Sequence, residues 1–101
     1  MLAGRIIQTG GALFGIDKKV PDGVEYELKR LHYEIANSAN RSAMAALMNM
    51  VLTSQIMFGT DCPFVPTGVT ANGMMKLGLS DEDLRMIGRD NALALFPRLK
   101  A

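Results

Sequence analysis

The chain of 101 residues is long enough for a single domain, 1–101, with one modest core. Its 11 Lys+Arg and 10 Asp+Glu are interspersed, so no basic face marks a nucleic-acid partner and no acidic tail marks a solvating segment. Hydrophobic residues make up 49% of the chain and include eight methionines, a content that for this size implies surface wanting a partner.

The opening MLAGRIIQTGGALFGI imitates a signal peptide only loosely. Its apolar run is interrupted by Gln8, Thr9 and a Gly pair, and no small-residue cleavage site precedes Asp17. Residues 2–9 read instead as a short helix ended by Gly10-Gly11, whose spacing is not that of a phosphate loop. VPDGV (20–24) predicts a turn, because Pro presets φ and Asp-Gly tolerates tight geometry. Glu25 to Leu31 predicts a helix with acids first and Lys29/Arg30 last, as its dipole prefers. In LHYEIA (31–36), Leu31, Tyr33 and Ile35 alternate with polar residues and predict a strand.

Asn37, Ser38 and Asn40 offer caps for a helix running to about Leu52. That helix is apolar on most sides, with Arg41, Ser42 and Asn49 as its polar stripe, which predicts burial between two layers, with Met44, Met48 and Met50 as core filling. Ala43 to Leu52 is too short for a membrane span, so the chain reads as soluble, with no membrane partner. Gln55 to Thr60 predicts a continuous apolar strand of a parallel sheet. Strand, helix and strand make a βαβ unit.

Farther on, Ser80 is an N-cap, Asp81, Glu82 and Asp83 fill the first turn, and Leu79 can staple onto Leu84. Gly88 breaks or kinks this helix, and Asp90 or Asn91 starts another, stopped by Pro97. Two parallel strands alone expose unpaired edges. The pattern is therefore that of a helix-rich piece of a larger α/β sheet, or of a chain that completes its sheet with another copy.

In parallel α/β folds chemistry gathers at the carboxyl ends of strands, here Asn37 and Thr60-Asp61-Cys62. Asp61 reads as a metal ligand or general base, or as a side chain capping the backbone of a Pro-containing turn. Cys62, the single cysteine, excludes an intramolecular disulfide and fits a reducing, cytoplasmic setting. Its possible base, His32, falls at the opposite end of the sheet, so a Cys–His dyad is disfavoured and Cys62 reads as a small buried thiol. His32 alone makes no metal site. Arg5 reads as a solvated surface charge or as a ligand for an anionic group.

The stretches ANSAN (36–40), SQIMFGTDCPF (54–64) and GLSDEDLRMIGRDNALALFPRL (78–99) together resemble the C-terminal end of the amidohydrolase-related proteins. The resemblance is to the branch of metal-dependent hydrolases and decarboxylases typified by aminocarboxymuconate-semialdehyde decarboxylase. MLAGRI (1–6) is similar to the stretch after the sixth barrel strand of that branch. The resemblance implies an α/β fold, the C-terminal βαβ-plus-helices portion of a (β/α)8 TIM-type barrel that is incomplete on its own. LHYEIA would be the seventh strand and SQIMFGT the eighth.

By this resemblance Asp61 matches the eighth-strand aspartate that binds the metal and takes a proton from its bound water. Arg5 matches an arginine facing a substrate carboxylate. The implied cofactor is a divalent metal, zinc foremost, and the implied substrate a small carboxylate-bearing molecule. The family's metal-binding histidines come from the first, fifth and sixth strands, and this chain holds none of them. The expectation is thus a C-terminal segment of a metal-dependent hydrolase or decarboxylase, inactive and metal-free by itself, associating as a homodimer or higher oligomer. The alternative is a stand-alone, helix-rich oligomerising module without catalysis.

Overall fold

A computed structural model describes residues 4–9, 15 and 18–100. The chain divides into two compact units, Met1–Leu31 and His32–Ala101. The Gly10-Gly11 stop lies outside the described residues.

In the first unit residues 4–9 are helical (α1), and the Thr9 hydroxyl donates to the Arg5 carbonyl at 2.6 Å. The predicted turn is present. Gly23 N–H donates to Val20 C=O at 2.9 Å, and Gly23 takes φ 91°, open chiefly to glycine, as it leads into α2 (Val24–Arg30). Helix α2 buries no residue and is laced by surface pairs, Lys29 with Glu25 at 2.7 Å and Arg30 with Glu27 at 3.3 Å. The Lys29 ammonium, through its hydrogen bond and then its charge, holds the Glu25 carboxyl below its usual range. Such exposed pairs add little to stability.

The second unit carries the predicted strand, helix and strand. Strand β1 (Tyr33–Glu34) and strand β2 (Ile56–Met57) are parallel, with Tyr33 opposite Ile56 and Glu34 opposite Met57. Both are shorter than the predicted 31–36 and 55–60. Gln55 is drawn into a 3-10 turn (Thr53–Gln55), where its side-chain oxygen accepts from Leu52 N–H at 3.1 Å. Between the strands runs α3 (Arg41–Met50), started by Asn40, whose side chain accepts from Ala43 N–H at 3.0 Å. Of α3 only Met44 is fully buried, and Ala45 and Ala46 are exposed, so this helix lacks the second layer its composition predicts.

Helix α4 (Thr67–Met75) has no counterpart in the predicted elements. It is followed by a helical run with Ser80 as N-cap, the hydroxyl accepting from Asp83 N–H at 3.1 Å. This run is α5 (Asp81–Arg85), a π turn (Met86–Asp90) and α6 (Asn91–Leu95), ended at Pro97. Gly88 sits inside the π turn, so the helix neither stops nor restarts there. Asn91 is not a cap. Its side chain is buried and donates to the carbonyls of Thr53 and Ile56, both at 2.8 Å.

The core gathers Ile35, Met44, Val51, Ile56, Met74 and Ile87, with Leu79 and Leu84 among the partly buried residues packed against it. Each such side chain, once buried, is worth about 1.5–3 kcal/mol. Ile35 N–H donates to Met57 C=O at 3.2 Å, so the polar backbone groups of Met57 face β1 and those of Ile56 and Phe58 face the other edge. That outer edge is not bare. Phe58 N–H donates to Ile87 C=O at 2.9 Å, and Ile56 C=O accepts from Asn91. The expectation that β2 keeps an unpaired outer edge is therefore corrected, because the π turn and Asn91 satisfy it from within the chain. No helix among the described residues is long and apolar enough to cross a membrane.

Candidate functional site

Parallel pairing brings the carboxyl ends of β1 and β2 to one edge. The chain leaves β1 through a turn in which Ser38 N–H donates to Ile35 C=O at 2.9 Å, and Ala36 N–H donates to the Glu34 carboxylate at 2.7 Å. It leaves β2 through Gly59, over which the exposed Glu34 side chain lies, so a Cβ there would have to displace that side chain. The next residues turn sharply, with Val65 N–H donating to Asp61 C=O at 3.1 Å, and the Cys62–Pro63 bond is cis.

Asn37 (φ 56°) and Asp61 (φ 59°) are the two non-glycine residues with positive φ among the described residues. Asn and Asp bear the left-handed conformation best, yet it still costs energy, and such positions cluster at functional sites. The two side chains meet, Asn37 Nδ2 donating to Asp61 Oδ2 at 3.4 Å, and both are exposed. Among the described residues this is the one hydrogen bond the Asp61 carboxylate makes. The turn itself is capped by Thr60, whose hydroxyl accepts from Cys62 N–H at 3.3 Å. The capping role open to Asp61 in the sequence thus belongs to its neighbour.

The backbone geometry gives a direct check. Asp61→Gly should melt at or above the parent temperature, since glycine enters φ 59° freely, whereas Asp61→Val should cost about 1–3 kcal/mol because a β-branched residue resists it. Equal melting temperatures for both variants would contradict the left-handed assignment.

The other singled-out residues separate cleanly. His32 is exposed and precedes β1, one position before the Tyr33–Ile56 pair, whereas Cys62 follows β2, so the two lie at opposite ends of the sheet as expected. Cys62 is exposed, which corrects its reading as a buried thiol: the turn after Asp61 lies on the surface, away from the core. Arg5 is an exposed residue of α1, in the first unit. Asn40, expected only as a helix cap, and Thr70, which carried no signal in the sequence, line a recess beside the strand ends together with Asn37.

The family model described as Amidohydrolase matches residues 14–98. The chain belongs to the amidohydrolase family. No curated protein and no solved structure matches the chain. An amidohydrolase domain implies a (β/α)8 barrel and, in general, a divalent metal. The donors described here do not fit such an ion by themselves. Asp61 is accompanied by a neutral amide, and among the described residues no three of His, Cys, Asp and Glu gather in one place. Zinc needs a fuller set of imidazole, thiolate or carboxylate ligands.

Proposed function

We propose that this chain is the C-terminal segment of a metal-dependent hydrolase or decarboxylase of the amidohydrolase family, in the branch typified by aminocarboxymuconate-semialdehyde decarboxylase. In this reading β1 and β2 are the last two barrel strands, and Asp61 is the catalytic carboxylate and one ligand of a zinc site whose histidines lie outside these 101 residues. Arg5 receives the carboxylate of a small-molecule substrate, and the protein is cytoplasmic. The observation that carries the reading is the Asn37–Asp61 pair, held in left-handed backbone at the carboxyl edge of a parallel pair of strands. A carboxylate left exposed with a single neutral partner is available as a ligand or proton acceptor.

The chain alone then has no catalysis and retains no stoichiometric metal. After dialysis against zinc and then buffer, elemental analysis should find well under one ion per chain. One tightly held zinc per chain would sink the reading.

A second reading has its own support. The outer edge of β2 is satisfied by Ile87 and Asn91, so the chain already closes the side on which a barrel would place another strand. This favours a stand-alone module without catalysis. Both readings include self-association, since Leu52, Phe64, Val69 and Met75 are each more than half exposed in the second unit. A C2 dimer is the simplest arrangement that covers them. Light scattering should give a mass of at least twice the 11.0 kDa of one chain, and a monomer with a cooperative melt would contradict association.

A further inference from the structure

Glu34 stands opposite Met57 in the sheet and is exposed, whereas Ile35 beside it is fully buried. Core packing therefore does not hold the Glu34 side chain, yet two contacts do. One carboxylate oxygen accepts from Ala36 N–H at 2.7 Å, inside the turn by which the chain leaves β1. The same end of the side chain lies against Gly59, where the chain leaves β2. Asn37 directly follows the first of these points, and Asp61 comes shortly after the second.

Both downstream residues stand in left-handed backbone, at φ 56° and φ 59°. In a residue other than glycine that conformation persists only where the surroundings enforce it. The bond between them, Asn37 Nδ2 to Asp61 Oδ2 at 3.4 Å, is long and exposed, and so a weak tie between two loops. Glu34 touches both loops one step earlier. Its bond to Ala36 N–H is short and charge-assisted, the stronger kind.

We infer that Glu34 is a positioning residue, whose side chain straps the exit of β1 to the exit of β2 and so sets Asn37 and Asp61 opposite each other. Gly59 belongs to the same device. It does not take a positive φ, and what it contributes is the missing side chain that lets Glu34 cross. The strap acts in this chain as it stands. Its bearing on catalysis rests on the role proposed above for Asp61.

The test is two-dimensional NMR of the full chain. In the parent, the Asn37 side-chain amide should shift as acidification protonates its acceptor, and Asp61→Asn should remove that response. Glu34→Ala should lose most of the response and speed exchange of the Ala36 amide about tenfold or more. Its melting temperature should fall by no more than about 8 °C, the effect of one exposed hydrogen bond in a chain of this size. Glu34→Gln keeps an acceptor oxygen at the same reach, so it should retain the response, which then cannot come from titration of Glu34 itself. Gly59→Ala displaces the strap from its other end and should reproduce Glu34→Ala. The double variant should be no worse than either single one, because both remove the same contact.

An unchanged Asn37 response in Glu34→Ala would overturn the inference, as would a parent Asn37 amide indifferent to Asp61. So would a Gly59→Ala variant that behaves like the parent, or single effects that add in the double variant. A Glu34→Gln variant as impaired as Glu34→Ala would show that the bond to Ala36 is not the strap. If Glu34→Ala does not fold, Gly59→Ala and Glu34→Gln decide the matter. None of these outcomes changes zinc retention, which tests the proposed function separately.

Discussion

Asn91→Asp should destabilise the second unit by about 3–5 kcal/mol, although it exchanges a single NH₂ for an oxygen. In the parent the Asn91 amide donates to Thr53 C=O and Ile56 C=O at 2.8 Å each, bridging segments 38 and 35 residues away. An aspartate there points an acceptor at two acceptors in a buried place. Folding must then leave a charge among carbonyl oxygens or hold the proton. The variant's carboxyl pKa is raised in the folded state, so the folded state binds more protons than the unfolded one. Stability relative to the parent is therefore greatest below the unfolded value of about 3.9 and is lost as pH rises through the raised one. Denaturant melts of variant and parent at pH 4 and pH 7 read this directly. A variant as stable as the parent at pH 7 would show that Asn91 does not bridge the two carbonyls.

Gly73→Ala should cost up to about 2 kcal/mol net, against the direction that helix propensity predicts. In an isolated helix, alanine for glycine gains about 1 kcal/mol. Here a Cβ at position 73 would meet the Ala39 carbonyl oxygen, with the Ala39 Cβ at 3.0 Å, and the first of these is backbone that cannot swing aside. Overpacking of that kind costs about 1–3 kcal/mol and sometimes more, so packing outweighs propensity. Gly68 in the same helix is the internal control. A Cβ there meets only Asn72 Nδ2 at 3.8 Å, an ordinary contact, so Gly68→Ala should stabilise by up to about 1 kcal/mol. Opposite signs for the two variants are expected in thermal melts, and a stabilising Gly73→Ala would mean that α4 does not pack on Ala39.

Those two glycines explain why α4 was not legible in the sequence. Thr67, Gly68, Thr70 and Gly73 are weak helix formers and give no amphipathic period. The helix forms because its second glycine allows close approach to the loop after β1. The elements that could be read carry local signals: Asn40 and Ser80 as caps, three acids opening α5, and alternation into a buried Ile35. The π turn carries no such signal, since Gly88 is equally consistent with a break. Asn91 was legible as a helix start, but its long-range partners are invisible along the chain.

The site divides in the same way. Placing Asp61 after a parallel strand and beside Asn37 followed from strand order, because parallel pairing fixes which ends meet. Which of Thr60 and Asp61 caps the turn depends on backbone φ, which the residue types do not reveal. The exposure of Cys62 follows from that turn and was misread for the same reason.

In the proposed function, Asp61 supplies one ligand to a site whose other ligands lie outside this chain. The measurement closest to this assignment is the nucleotide sequence immediately upstream of the Met1 codon. The expected result is an open frame that continues upstream and encodes a His-x-His pair and further histidines at the ends of predicted strands. An in-frame stop followed by unrelated sequence would contradict it, and would leave the stand-alone module as the reading of this chain.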